Sequence, residues 1–249
     1  MRKFALIGYK LGHSFSKKYF TDKFEKEGLD NCLYELFELA HIKQLPGLLI
    51  EQKSLEGLNV TIPYKEEVIP LLDDIDDSAK RIGAVNVIRI QDGKTKGFNS
   101  DYYGFKKSLE DWMDINPSET KALILGTGGA SKAVKTALED LNVEFKFVSR
   151  TASDDTLDYA SLNAKPELLD EYRLIINTTP LGMLPNTDSC PDLPYDRIGG
   201  GHYLYDLVYN PEETLFMKKG TDRGAKAKNG LEMLHLQAER SWDIWNGNE

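Results

Sequence analysis

The 249-residue chain reads as an α/β protein of two domains, and three observations predict it. Apolar strand patterns alternate with amphipathic helical ones along most of the length. A glycine-rich turn between an apolar strand and a helix sits at mid-chain and opens a second alternating series. Asn116-Pro117-Ser118 breaks the pattern just before that series begins. A chain of this length can bury a separate core in each of two domains.

Strands are predicted at residues 4–8, 32–37, 57–62 and 85–90, with helical patterns at 16–27 and 41–52 between them. Asp92-Gly93 is a turn signal leading to a further strand at 95–98, so the first sheet is expected to be mostly parallel with an antiparallel edge. Phe105, Leu109 and Trp112 stand at helical spacing after Tyr102, and Asp101 is the expected N-cap of that helix. The second series places strands at 122–125, 144–149, 174–177 and 202–207, with Val134, Ala137, Leu138 and Leu141 marking a helix after the first. Residues 180–194 form a proline-rich loop after the third strand. Leu231, Leu234, Leu236, Ala238, Trp242, Ile244 and Trp245 give a terminal helix with a wide apolar face.

Chemistry is densest in Asn59-Val60-Thr61-Ile62-Pro63-Tyr64-Lys65. Val60 and Ile62 alternate with Asn59 and Thr61, so one face is expected to enter a core while the polar face looks elsewhere. Pro63 cannot donate the next ladder hydrogen bond, which leaves Lys65 just beyond a rigid strand end. An amine held against a partly apolar wall can exchange a proton near neutrality, although a lone lysine after a turn is usually only solvated. Downstream, Gly97-Phe98-Asn99-Ser100-Asp101 ends an extended segment. A carboxylate at that helix start serves as a cap, as a partner to the amine, or as both. Between them, Ile82-Gly83-Ala84-Val85-Asn86-Val87-Ile88 reads as a strand with one amide residue among apolar ones, so Asn86 needs backbone or ligand partners.

The mid-chain turn is Gly126-Thr127-Gly128-Gly129-Ala130-Ser131, with strand before, helix after, and a second strand closing a βαβ unit. Such glycines let the backbone approach a pyrophosphate while the helix amides and dipole favour its charge. Ser131 occupies the third glycine slot and is small enough for close packing. The second strand ends in Val148-Ser149-Arg150-Thr151, where an acid would suit the ribose hydroxyls of NAD and an arginine accommodates a 2′-phosphate. NADP is therefore expected over NAD, with Asp154 and Asp155 acting against it.

With Ser14-Phe15-Ser16, Asn177-Thr178-Thr179-Pro180-Leu181-Gly182-Met183 and Asn229-Gly230-Leu231-Glu232-Met233-Leu234-His235-Leu236-Gln237, these motifs form one ordered set. In that set the chain resembles the shikimate dehydrogenase family from its first strand to its last helix. The resemblance implies an oxidoreductase that reversibly reduces the ketone of 3-dehydroshikimate to shikimate with NADPH, on the chorismate route to aromatic amino acids. It implies a substrate-binding and catalytic domain over residues 1–100, completed by a terminal helix at 230–249, and a Rossmann-type NADP-binding domain over 101–229. Lys65 and Asp101 would be the catalytic pair. Ser14 and Ser16 would hold the substrate carboxylate with Tyr209 nearby, and Thr61, Asn86, Asp101 and Gln237 the ring oxygens. The cofactor would lie on Gly126, Gly128, Gly129 and Ala130, with Arg150 at its 2′-phosphate, Thr178 beside the dinucleotide, and Leu207 and Gly230 near the nicotinamide. The cleft between the domains is then the expected site, with hinges at Asp101 and near Gly230. Lys17, Ser100 and Ser149 stand where the family usually has proline, threonine and asparagine, and Asp154 and Asp155 where basic residues are common.

Composition sets limits. A net charge of −9 leaves no basic excess for general nucleic-acid binding. Cys32 and Cys190 fit no metal or redox motif, so a reduced, cytoplasmic protein is the expectation, as monomer or homodimer. His13, His41, His202 and His235 show no ligand spacing, and no metal is expected. No apolar stretch is long enough to cross a membrane. Two alternatives stay open: a quinate/shikimate dehydrogenase using NAD(H), and a catalytically silent dinucleotide-binding regulator on the same fold.

Overall fold

The computed structural model describes residues 1–12 and 14–248; His13, named above among the histidines without ligand spacing, and Glu249 lie outside the described residues. Two compact units are present, Met1–Tyr103 with Gln237–Glu249, and Gly104–Leu236.

The first unit carries strands β1 (Arg2–Gly8), β2 (Cys32–Glu38), β3 (Leu55–Val60), β4 (Asp74–Ile75), β5 (Val87–Gln91) and β6 (Lys94–Phe98). Its helices are α1 (Phe15–Lys26), α2 (Leu45–Glu51), α3 (Asp77–Ile82) and the first turn of α4 (Ser100–Trp112). The sheet order is β2-β1-β3-β5-β6-β4. Only β5 runs against its neighbours, so the antiparallel strand is internal and not at the edge as expected. The cause is local. Asp92 (φ 52°) and Gly93 (φ 74°) both adopt left-handed backbone, which makes a tight hairpin of β5 and β6, and the two-residue β4 then covers the outer side of β6. A strand that short carries no periodic signal.

The sheet is covered on both faces, and the alternation along β1 shows how. Ala5 and Ile7 join Leu45, Leu58, Val60, Val68 and Ile88 on one side, while Phe4 and Leu6 join Phe20, Phe24, Tyr34, Val87 and Trp245 on the other. Phe4 stacks on Trp245 with ring centroids 4.8 Å apart, and the Trp245 indole N–H donates to the Ile88 carbonyl (3.1 Å). The last turns of the terminal helix thus belong to this core.

Two expectations need correction here. β3 stops at Val60, and Ile62 is 77 % exposed, so the alternation of Val60 and Ile62 does not continue into the core. Thr61 still donates its N–H to the Ile7 carbonyl (3.0 Å), but Pro63 has no N–H to follow it, and the chain turns back through Tyr64 N–H to the Thr61 carbonyl (3.0 Å). Tyr64 takes the buried place instead. Residues 82–86 are also not strand: Ile82 closes α3, Gly83 (φ 72°) is its left-handed C-cap, and Asp76 caps its start. β5 begins only at Val87, after Asn86.

The second unit continues with β7 (Lys121–Leu125), β8 (Glu144–Ser149), β9 (Thr156–Asp158), β10 (Leu174–Asn177), β11 (Tyr203–Asp206) and β12 (Lys226–Lys228). Helices α5 (Gly129–Asp140), α6 (Tyr159–Ala164), α7 (Leu168–Glu171), α8 (Leu215–Thr221) and the first half of α9 (Leu231–Trp245) accompany them. All pairs are parallel, in the order β9-β8-β7-β10-β11-β12. β7 and β10 are fully buried apart from Lys121, as central parallel strands must be. The order reverses between them, which opens a crevice at their carboxyl ends, the place where such sheets bind ligands.

Candidate active site

In the first unit, the ends of β3 and β6 and the start of α4 bring the polar residues together. Lys65 follows the turn after Thr61, and its backbone carbonyl accepts the Val85 N–H (2.7 Å), which ties it to the segment before β5. Its Nζ lies 2.7 Å from Asp101 Oδ2, with the amine side chain 21 % exposed and the carboxylate 8 %. Asp101 is not the N-cap that was expected. Asn99 takes that role, its Oδ1 accepting the Tyr102 N–H (3.1 Å) while its amide donates to the Ala84 carbonyl (2.9 Å). The carboxylate, relieved of capping, is available to the amine.

Asn86 is 4 % exposed and sits between two strands, accepting the Val60 N–H on its carbonyl (2.9 Å) and donating its N–H to the Phe98 carbonyl (3.0 Å). Its side chain accepts the Ser100 N–H (2.7 Å) and donates to Ser100 Oγ (3.1 Å) and toward Gln237 Oε1 (3.5 Å). The Lys65–Asp101 pair and the Asn86–Gln237 pair are therefore joined through the backbone, by Ser100 next to Asp101 and by Val85 next to Asn86. Thr61 stands on the same strand end as Lys65, half-buried. Ser14 caps α1, accepting the Lys17 N–H (3.3 Å), and does so with Lys17 in place of proline. Ser16 lies near the Tyr34 hydroxyl, whose pKa burial pushes up while the serine beside it pulls it down.

The second unit holds the other predicted residues. Gly126 (φ 99°) turns the chain out of β7, and a side chain there would meet Thr178 Oγ1 at 3.1 Å and Thr179 Cγ2 at 2.9 Å. Thr178 donates both its N–H (3.0 Å) and its hydroxyl (2.7 Å) to the Leu125 carbonyl, which locks the β10 loop over the glycine turn. Gly128 and Gly129 face open space where a Cβ would stand, and the twelve-residue α5 starts at Gly129, with Ala130 in its first turn. An exposed glycine backbone at a helix start fits a dinucleotide pyrophosphate. Ser131 is 2 % exposed and donates to the Gly128 carbonyl (2.7 Å), so the departure at the third glycine slot fastens the turn. Arg150 is exposed at the end of β8, beside a turn in which Ser149 Oγ accepts the Thr151 N–H (3.2 Å), and Asp154 and Asp155 are exposed too. Leu207 is half-buried, Gly230 donates to the Val208 carbonyl (3.2 Å), and Tyr209 is 37 % exposed, its hydroxyl pKa raised by burial.

Sequence reasoning passed over Asp206. It is fully buried at the end of β11 and accepts from Asn177 Nδ2 (2.9 Å), Val208 N–H (3.0 Å) and Thr214 Oγ1 (2.6 Å). Burial pushes its carboxyl up to about 6, against the pull of those three donors. The carboxylate thus pins together the loops that carry Thr178 and Leu207. A signal was there: Leu-Ile-Ile-Asn and Tyr-Leu-Tyr-Asp are apolar strands that each end in one polar residue. Ser241 was passed over as well, although it lies one turn beyond Gln237 on the apolar face of α9, and Asn59 was noted for its place on the polar face of its strand without a role.

Comparison with known proteins agrees with this geometry. Residues 6–88 match the model of the shikimate dehydrogenase substrate binding domain. The shikimate dehydrogenase (NADP(+)) of Clostridium beijerinckii is 40 % identical over 98 % of this chain and 92 % of its own. Among solved structures, shikimate dehydrogenase 1 of Peptoclostridium difficile shares 37 % identity with a TM-score of 0.85, covering 100 % of this chain and 93 % of that one. Shikimate 5-dehydrogenase of Thermus thermophilus, solved in complex with NADP(H) and shikimate, shares 32 % identity with a TM-score of 0.85, covering 99 % and 94 %. With near-complete coverage at these identities, the chain belongs to the shikimate dehydrogenase family.

Proposed function

We propose that this chain is an NADPH-dependent shikimate dehydrogenase, reversibly reducing the ketone of 3-dehydroshikimate to shikimate, with Lys65 and Asp101 handling the proton. The observation that carries the reading is the 2.7 Å contact between Lys65 Nζ and Asp101 Oδ2, with Asp101 next in the chain to Ser100, which receives the Asn86 amide that also reaches Gln237. The relatives' names and bound ligands support the substrate and cofactor.

NADPH, when bound, supplies the hydride. Negative charge then develops on the substrate oxygen, and the Lys65 ammonium both stabilises it and gives up a proton to it. Asp101 holds the amine in place by its hydrogen bond and keeps a proton available to it in either direction of the reaction. A ring rich in hydroxyls needs directional partners, and Thr61, Asn86 and Gln237 provide donors and acceptors that reject a deoxygenated analogue. Ser14 and Ser16, with Tyr209, are assigned to the substrate carboxylate. Gly126, Gly128, Gly129, Ala130 and Thr178 would hold the pyrophosphate region, Leu207 and Gly230 the nicotinamide, and Arg150 the 2′-phosphate.

Initial rates for shikimate and quinate, each with NADP and NAD, test the reading. The expected result is rapid turnover of shikimate with NADP and a much lower kcat/KM for the other three combinations. Quinate oxidised with NAD at a comparable kcat/KM would reassign the chain to the quinate/shikimate dehydrogenases. Ligand binding without any turnover would make it a silent regulator.

A further inference from the structure

A buried polar chain runs behind the site. The Tyr34 hydroxyl donates to Asn59 Oδ1 (2.7 Å). Asn59 Nδ2 donates to Ser241 Oγ (3.0 Å) and toward the Asn86 carbonyl (3.4 Å). Ser241, 1 % exposed, donates to the Gln237 carbonyl (2.8 Å) and lies 3.3 Å from Ser100 Oγ. Ser100 then meets Asn86, and Asn86 meets Gln237.

Backbone groups fix the polarity of this chain, because their donor or acceptor role cannot change. The Ser100 N–H is only a donor, so the Asn86 atom 2.7 Å away is oxygen and the amide nitrogen faces Ser100 Oγ and Gln237. The Asn86 carbonyl is only an acceptor, so Asn59 turns its nitrogen toward it and toward Ser241. Ser241 spends its one proton on the Gln237 carbonyl, which obliges the Ser100 hydroxyl to donate to Ser241 and to offer Asn86 a lone pair. Without Ser241, the Ser100 proton can turn to Asn86 Oδ1, 3.4 Å away, and the Ser100 oxygen that receives the Asn86 amide is no longer held in place, while the Ser100 N–H still keeps Asn86 Oδ1 as the acceptor. With it, Gln237 receives the Asn86 amide on Oε1, and Nε2 is left as the donor for a ligand.

We propose that Ser241 is a positioning residue for substrate: through Ser100 and Asn59, and by its own bond to the Gln237 carbonyl, it holds the Asn86 and Gln237 amides in the places from which they meet the ring hydroxyls. This deepens, and rests on, the assignment of Asn86 and Gln237 to the substrate ring. Removing one oriented hydrogen-bond set that acts in ground and transition states alike raises KM and leaves kcat near its value.

The test is steady-state kinetics of Ser241→Ala and Tyr34→Phe beside the parent protein, with thermal melts. The expected result for Ser241→Ala is a rise of about 5- to 10-fold in KM for 3-dehydroshikimate, with kcat within about threefold and KM for NADPH unchanged. Tyr34→Phe, which keeps the ring, should shift the same KM by a smaller factor, and Ser241→Thr should restore it. A residue that only supports the fold would lower the melting temperature and the active fraction, hence apparent kcat, and leave KM alone; that result overturns the proposal. Calorimetry with shikimate reads the same network without catalysis: tighter binding by the parent than by Ser241→Ala supports it even if turnover fails, and equal binding contradicts it.

Discussion

Arg150 illustrates how one side chain can carry a preference. It stands exposed at the end of β8, with no ion pair among the described residues, beside a turn held by Ser149. A charge-assisted contact of guanidinium and phosphate contributes about 1.5–3 kcal/mol, so Arg150→Ala should raise KM for NADPH about 10- to 100-fold and leave that for NADH nearly unchanged. Equal KM changes for the two cofactors would remove Arg150 from the phosphate. Asp206 gives a different kind of prediction. Its folded carboxyl titrates at about 6 against an ordinary 3.8, so the folded protein holds that proton more tightly than the unfolded chain. Its contribution to stability is therefore fully present below about 4 and is lost as pH rises to about 6. Between those limits the stability of the parent protein should fall relative to Asp206→Asn by on the order of 2–3 kcal/mol, read from urea titrations at each pH. A constant difference would mean the carboxyl titrates normally. At this scale the sequence drew attention to side chains with no apolar reason for their place, such as Lys65, Asn86 and Asp101, whereas Ser241 depends on partners distant in sequence, 182 residues separating it from Asn59, and Asp206 on Asn177 of another strand together with two groups of its own loop.

Elements with a clear period were legible, and those defined by neighbours were not. β7, α5 and the glycine turn between them follow from an apolar run, helical spacing and glycines. β4, β9 and β12 have two or three residues each and exist through pairing with β6, β8 and β11, which no local pattern announces. The internal antiparallel strand was hidden for the same reason. The terminal helix was legible by its apolar face, and its docking has a sharp test. A side chain at Gly57 would come within 2.3 Å of the Trp245 indole, itself packed on Phe4 and Phe20. Gly57→Ala should destabilise the protein by about 1–3 kcal/mol and raise KM for 3-dehydroshikimate, since the same helix carries Gln237. An unchanged melting temperature would show that the helix end yields without consequence.

For the molecule as a whole, the residues to which the proposed reaction is assigned fall in two α/β units: hydroxyl, amide and amine groups on the first, glycine turn and helix start on the second. The fold class and the ordered motifs were readable because each motif serves a backbone need as well as a chemical one. The strength of the cofactor preference was not, because Asp154 and Asp155 oppose Arg150 through solvent, where attraction and repulsion are both weak. The most direct test of the account is a kinetic comparison of the parent protein with Lys65→Ala in the reduction of 3-dehydroshikimate by NADPH. A loss of proton donation and charge stabilisation predicts a fall in kcat of about 10²- to 10⁴-fold, a smaller change in KM and unaltered NADPH binding. A kcat within about threefold of the parent value would contradict it, since the amine beside Asp101 would then have no part in the proton transfer.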